Sequence, residues 1–232
     1  MNVVITGASR GIGKTVAEYF AAEGATLFLC SRNMEKTSGW QQDLMEKHGI
    51  QISSFSADLG VAEQAKQFAR QVLKATDNID VLVNNIGIYE PGSTYNEPEG
   101  QLELMLSVNL YSAYHVTRAL IPSMIKRKKG HIFNVSSTGG LKAYANGGSY
   151  SISKWALRGF SMNLREELKD FQIKVTTVYP GATLTSSWDG FDVDPKRFME
   201  TDDIAKMIIA ANKLSPQACV EEILLRPQLG DI

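Results

Sequence analysis

Residues 6–13 read TGASRGIG, directly after the apolar run Asn2–Thr6 and directly before a helical pattern that starts at Ile12. A glycine-rich turn joining a strand to a helix leaves few folds open. Glycines at 7, 11 and 13 let the backbone turn tightly and approach a pyrophosphate at the helix N-terminus. Two nucleotide readings compete here. Gly13-Lys14-Thr15 supplies the G-K-[ST] end of a phosphate loop, but that motif needs its first glycine at position 8, which is Ala8. The spacing G-x-x-x-G-x-G fits a variant of the dinucleotide-binding turn instead.

The rest of the chain repeats the strand–helix alternation that this turn begins. Short apolar runs predict strands at Asn2–Thr6, Thr26–Cys30, Gln51–Ala57, Asp80–Asn84, His131–Val135, Lys174–Tyr179 and Glu222–Arg226. Several are apolar at consecutive positions, as parallel strands covered on both faces require. Amphipathic patterns predict helices over Ile12–Glu23, Met34–His48, Val61–Ala75, Leu102–Lys128, Tyr150–Phe171 and Thr201–Lys213. The expected fold class is α/β: one doubly wound (Rossmann) domain over residues 1–232, with about seven parallel strands and helices on both faces. Two loop-like stretches, Ile88–Pro98 and Pro180–Pro195, each follow a strand at its carboxyl end, where open α/β sheets place ligands. The second, taken broadly as residues 183–200, is the expected substrate loop.

Composition narrows the partners. A net charge of −1 offers no field for nucleic acid or an acidic membrane. The one strong basic block, Lys126-Arg127-Lys128-Lys129, precedes Gly130, where cations suit a helix C-terminus. Cys30 and Cys219 have no metal or redox spacing, and His48, His115 and His131 form no ligand cluster. No signal-peptide pattern opens the sequence and no run approaches the ~18 apolar residues of a membrane span. A reduced, cytoplasmic, soluble protein is expected, with no metal and a small-molecule substrate.

The end of the second predicted strand tests which dinucleotide binds. An NAD site carries an acid there for the ribose 2′-hydroxyl. This chain reads Cys30-Ser31-Arg32-Asn33, with no acid before Glu35. A carboxylate would repel a 2′-phosphate, whereas Arg32 forks onto one and Arg10 in the glycine loop reaches the same group. NADP(H) is the expected cofactor.

Further along, Tyr150 and Lys154 stand four apart, one turn apart on one helix face, where an ammonium favours the phenolate. Alone, such a pair is ordinary. With TGASRGIG at 6–13, Asp58-Leu59, NNIG at 84–87, Asn109 in SVNL, Ser137 thirteen residues before Tyr150, YSISK at 150–154 and Pro180-Gly181, the chain resembles a short-chain dehydrogenase/reductase over essentially its whole length. Ile86 departs from the pattern, where the family more often has alanine.

That resemblance implies roles. Ser9, Arg10, Gly11, Ile12 and Gly13 hold the pyrophosphate, and Gly7, Ser31 and Arg32 belong to the same cofactor site. Asp58 and Leu59 flank the adenine, although Asp58 also suits a turn before Val61. Asn84 and Asn85 lock strand and cofactor together, and Gly87 lets the ribose approach. Pro180 and Gly181 bend the chain under the nicotinamide, with Thr183, through its backbone, and Thr185 on the carboxamide. Tyr150 is the general acid for carbonyl reduction. Lys154 keeps it acidic and binds the nicotinamide ribose, and Ser137 hydrogen-bonds the carbonyl oxygen. Asn109 either holds a water that reloads the proton or is a helix-kink amide. Ser136 is a rival to Ser137. Tyr144 is a rival phenol, but it lacks a lysine four residues on and fits better as a substrate-wall residue, with Ile88, Tyr89, Trp188 and Phe191. These walls predict a neutral, partly apolar carbonyl compound.

The expected activity is NADP(H)-dependent hydride transfer to a carbonyl or from a secondary alcohol. A 3-oxoacyl-carrier-protein reductase shares the motifs but needs a basic surface near the mouth. A dinucleotide-sensing regulator shares the fold but has no use for the Ser/Tyr/Lys set. Pairing of the helical regions Leu102–Lys128 and Tyr150–Phe171 between subunits predicts a homodimer or homotetramer.

Overall fold

Val3 and Ile5 point to one side of the first strand and Val4 to the other, and all three are fully buried. Strand alternation therefore feeds two cores, one on each face of the sheet. A computed structural model describes residues 1–188, 190 and 192–232. Seven strands, β1 (Asn2–Thr6), β2 (Thr26–Ser31), β3 (Ile52–Ser56), β4 (Val81–Asn84), β5 (Gly130–Val135), β6 (Ile173–Pro180) and β7 (Glu222–Leu225), form one parallel sheet in the order β3-β2-β1-β4-β5-β6-β7.

Helices α1 (Gly11–Ala22), α2 (Ser38–His48) and α7 (Thr201–Asn212) cover one face, where Phe20, Leu44 and Ile208 pack on Ile5, Leu29 and Phe133. Helices α3 (Ala62–Ala75), α5 (Ser112–Arg127) and α6 (Gly148–Leu168) cover the other, where Phe68, Leu120 and Leu164 meet Val4, Leu82 and Ile132. Each large apolar side chain buried in this way contributes roughly 1.5–3 kcal/mol. The short helix α4 (Gln101–Leu106) precedes α5.

The predicted element types hold, and their departures have local causes. The pattern over Met34–His48 opens as a 3-10 turn, Met34–Thr37, before α2 begins. The long pattern over Leu102–Lys128 is broken by a π-helical turn at Ser107–Tyr111, with Asn109 inside it. Strand β3 is only partly buried because it is an edge strand with a single neighbour. Lys128 ends α5 in the left-handed region, and Arg127 forms a 2.8 Å ion pair with Asp80, just before β4. The basic block thus caps a helix at the amino end of the sheet, away from the strands' carboxyl ends. Among the described residues no helix is long and apolar enough to cross a membrane, and no acid, histidine and cysteine cluster could hold a metal.

Candidate active site

The strand order reverses between β1 and β4, and a cleft of about 770 Å³ opens at the carboxyl ends of the strands there. It is lined by Gly7, Ser9, Arg10, Gly11, Ile12, Ser31, Arg32, Asp58, Leu59, Asn85, Gly87, Ser137, Tyr144, Tyr150, Lys154, Pro180, Gly181, Thr183, Thr185 and Trp188. Phe191 lies outside the described residues.

The glycine turn follows β1 with Gly7 and Gly11 in the left-handed region, at φ 68° and 55°. Gly7 donates to the Cys30 carbonyl at 2.8 Å, tying the turn to β2. Helix α1 has no side-chain cap and no acid in its first turn, so its positive N-terminus faces the cleft uncompensated. Lys14 and Thr15 turn away from it. Lys14 pairs with Glu18 at 3.1 Å, and Thr15 bonds Gly11 and Thr201, so neither serves a phosphate loop.

Three expected cofactor or relay residues are not in the cleft wall. Gly13 is packed beneath the turn, where a Cβ would lie 2.3 Å from the Gly7 carbonyl oxygen, so its role is close packing. Asn84 faces the opposite layer: its amide donates to Thr117 at 2.9 Å and Asn134 at 2.8 Å. Neighbouring strand residues face opposite ways, so only Asn85 reaches the turn, donating to the Gly7 carbonyl at 3.1 Å. Asn109 is fully buried. Its amide accepts from Ile88 N–H at 2.8 Å and donates to the Ile88 carbonyl at 3.1 Å and to Ser153 Oγ at 2.9 Å.

At the end of the cleft where β2 stops, Ser31 Oγ is buried without a hydrogen-bond partner, and Arg32 and Arg10 line the same cleft. An orphaned hydroxyl in a cleft that two arginines also line, with no carboxylate at the end of β2, suits a phosphate oxygen. Asp58 Oδ1 accepts from Gly60 N–H at 3.0 Å, making the turn before α3 while Asp58 also lines the cleft. Over the glycine turn, Thr185 Cγ2 would be 3.2 Å from a Cβ at Gly11. Thr183 is buried, with its hydroxyl on the Gly181 carbonyl.

At the other end, Tyr150 and Lys154 occupy the first turns of α6. Burial pushes the Tyr150 phenol up to about 12, a hydrogen bond from Ser137 works the other way, and Tyr89 adds to the rise. The same burial pulls the Lys154 ammonium down to about 8. Lys154 Nζ lies 5.8 Å from the Tyr150 ring centroid and donates to the Val135 carbonyl at 3.3 Å. In this structure desolvation is the largest influence on the phenol, and its net shift is upward. A Cβ at Gly87 would stand 3.1 Å from Lys154 Nζ and 3.4 Å from Asn109 Oδ1, so glycine keeps a cradle open beside the ammonium.

The two serines separate cleanly. Ser137 Oγ sits beside the phenol and accepts from Gly139 N–H at 3.1 Å, whereas Ser136 Oγ donates to the Lys154 carbonyl at 3.2 Å. Tyr144 is half-exposed, and its phenol is pushed up chiefly by burial, with smaller contributions from Tyr150 and Tyr89. Tyr89 meets the Tyr150 ring edge-on, with centroids 4.8 Å apart, and Trp188 stands 6.3 Å from Tyr89.

Sequence reasoning missed two contributions. Arg226, Asp231 and Ile232 reach the cleft from beyond β7, where no motif announces them. Glu97, in the loop after β4, accepts from Ser149 N–H at 3.0 and 3.1 Å through its two oxygens.

Comparison with known proteins agrees with this geometry. A family model described as short chain dehydrogenase matches residues 1–194. A sepiapterin reductase from Chlorobaculum tepidum is 30% identical over 243 residues, covering 99% of this chain and 97% of the relative. An alcohol dehydrogenase from the archaeon Thermococcus sibiricus, complexed with 5-hydroxy-NADP, superposes with a TM-score of 0.91 at 28% identity, covering 98% of this chain and 96% of that one. A metagenomic short-chain oxidoreductase in complex with NADP gives 0.86 at 33% identity, over 98% and 97% of the two chains. The chain belongs to the short-chain dehydrogenase family.

Proposed function

We propose that this chain is an NADP(H)-dependent oxidoreductase acting on a neutral, partly apolar carbonyl compound or the matching secondary alcohol. The observation that carries the reading is a cleft lined at one end by Ser137, Tyr150 and Lys154 and elsewhere by Arg10, Arg32 and Ser31 with its unpartnered hydroxyl. Two of the solved relatives, complexed with NADP and 5-hydroxy-NADP, support the same cofactor. The glycine turn and the N-terminus of α1 would hold the pyrophosphate, Arg10, Ser31 and Arg32 the 2′-phosphate, and Asp58 and Leu59 the adenine. Thr183, Thr185, Pro180 and Gly181 would border the nicotinamide. Bound NADPH supplies the hydride.

The side chains supply the rest. Tyr150, with its phenol at about 12, is protonated at neutral pH and can donate to a developing alkoxide. Ser137 donates to the same oxygen as charge develops. Lys154, on the same helix face and beside the opening at Gly87, would bind the nicotinamide ribose and recharge the phenol. Asn109 contributes by fixing Ile88, one residue before Tyr89, while a relay through a water at its Oδ1 remains part of the proposal. Tyr89, Tyr144 and Trp188 form an aromatic substrate wall, with residues 183–200 as the substrate loop. The free thiols of Cys30 and Cys219 fit a cytoplasmic setting. Exposed apolar residues on α4 and α6 (Leu104, Ile152, Trp155 and Met162) support a homodimer or homotetramer.

The test is NADPH oxidation across aldehydes, ketones and acetoacetyl thioesters, with Tyr150→Phe beside the parent. The variant is expected to bind NADPH within about twofold of the parent and to lose turnover by at least about a hundredfold. Undiminished turnover refutes Tyr150 as the acid.

A further inference from the structure

Helix α6 carries both Tyr150 and Lys154, yet its own sequence supplies no side-chain cap and no acid in its first turn. Its N-terminal N–H groups need a partner from elsewhere. Glu97 provides it from 52 positions upstream: both carboxylate oxygens accept from Ser149 N–H, the residue directly before Tyr150. The packing is close enough to dictate sequence. A Cβ on Gly148 would lie 2.5 Å from Glu97 Oε1 and 2.5 Å from the Gly92 carbonyl oxygen, and one on Gly92 would lie 3.0 Å from Glu97 Cγ. Gly92 N–H donates to the Asn146 carbonyl at 3.1 Å, and Ser93 Oγ donates to Asn146 Oδ1 at 2.7 Å. Residues 92–97 are thereby stitched to the loop that leads into α6.

The other end of this segment touches the phenol itself. Asn109 holds both backbone groups of Ile88, and the next residue, Tyr89, packs edge-on against Tyr150. Lys154 also faces this ring, its Nζ 5.8 Å from the centroid, but the Tyr89 ring is nearer, at 4.8 Å. We propose that residues 88–97 form a strap that positions the proton donor, with Glu97 as a positioning residue that fixes the first turn of α6 and Tyr89 as the packing stop for the Tyr150 ring. The proposal rests on Tyr150 being the proton donor. The titratable and charged groups facing that phenol are Tyr89 and Tyr144 from the strap and the 141–147 loop, Lys154 from α6, and Lys142 in the same cleft.

Removing the Glu97 charge acts on Tyr150 in one direction. An uncompensated helix N-terminus favours the phenolate, and a loosened ring gains water, so both effects make the phenol more acidic. The experiment compares Glu97→Gln, which keeps the shape and one acceptor, with Glu97→Ala and with the control Glu46→Gln, an exposed carboxylate on α2 bonded to Gln42 and outside the strap. The phenol is titrated by NMR on protein carrying 13C-labelled tyrosine, its signal assigned by its absence in Tyr150→Phe. The expected result is a Tyr150 titration lowered by about one pH unit or more in Glu97→Gln and unmoved in Glu46→Gln. With a carbonyl that the parent reduces, kcat is expected to fall about tenfold in Glu97→Ala and less in Glu97→Gln, with NADPH affinity unchanged in both. An unmoved Tyr150 titration in the folded Glu97→Gln protein overturns the strap's role. A moved titration in a protein that reduces no carbonyl keeps the strap and refutes the proposed activity instead.

Discussion

Burial sets the protonation of both Tyr150 and Lys154. Desolvation favours the neutral form of each, holding the phenol protonated to about 12 and letting the ammonium titrate near 8. At neutral pH the phenol is a loaded donor, and Lys154 can gain and lose a proton within reach of ordinary assay pH. Where β2 stops, Arg32 is exposed and follows Ser31, whose hydroxyl is unpartnered. Arg32→Glu places a carboxylate where a 2′-phosphate is expected. It should weaken NADPH binding at least about tenfold and leave NADH binding within about threefold, read by nucleotide fluorescence titration. Equal losses for the two nucleotides would remove Arg32 from the phosphate site.

At the scale of elements, β5 and β6 carry a buried polar pair remote from the cleft. His131 is 4% exposed, its Nε2 lies 2.8 Å from Thr176 Oγ1, and its ring stacks on Phe133 at 3.9 Å. Burial, reinforced by the charge of Lys174, lowers its titration from the ordinary 6.5 to about 3. The unfolded chain therefore takes up a proton that the folded one refuses as pH falls below about 6.5. The stability associated with a neutral His131 is complete above that pH and drains away towards pH 3, at up to about 1.4 kcal/mol per pH unit. Replacing His131 by Gln, which keeps a hydrogen-bonding head, should flatten this acid limb in thermal melts between pH 6.5 and 4. An unchanged limb would assign acid sensitivity to other groups. Element types were readable from apolar periodicity because both sheet faces are covered. The π-helical turn at Ser107–Tyr111 was not, since it arises where the buried Asn109 amide reaches Ile88 and Ser153 across three segments.

For the whole molecule, one row of exposed apolar side chains runs along α6. Ile152, Trp155 and Met162 are exposed along α6, and at Gly159 between them a Cβ would touch nothing within 4 Å. Such a row is expected to be covered by a second copy of the chain. Trp155→Glu combined with Met162→Glu should convert the assembly to monomer in sedimentation, with the fold retained by circular dichroism. A parent protein that sediments as monomer at all concentrations would exclude this interface.

By itself the sequence determined the alternating sheet, the glycine turn and the spacing of Ser137, Tyr150 and Lys154. These are local or periodic properties, written in consecutive side chains and fixed offsets. It could not determine which neighbour in a run faces the cleft. Asn84 and Asn85 read alike, and only the pleat of β4 sends the first into the helical layer and the second to the glycine turn. Nor could it reveal that Glu97 accepts from the first turn of α6, or that the tail at Arg226 and Asp231 reaches the cleft. The protonation of Tyr150 belongs to the same class. Spacing supplied a lysine one turn away, but the sign of the shift depends on how much water the folded chain removes from the phenol, and only the assembled tertiary structure sets that quantity.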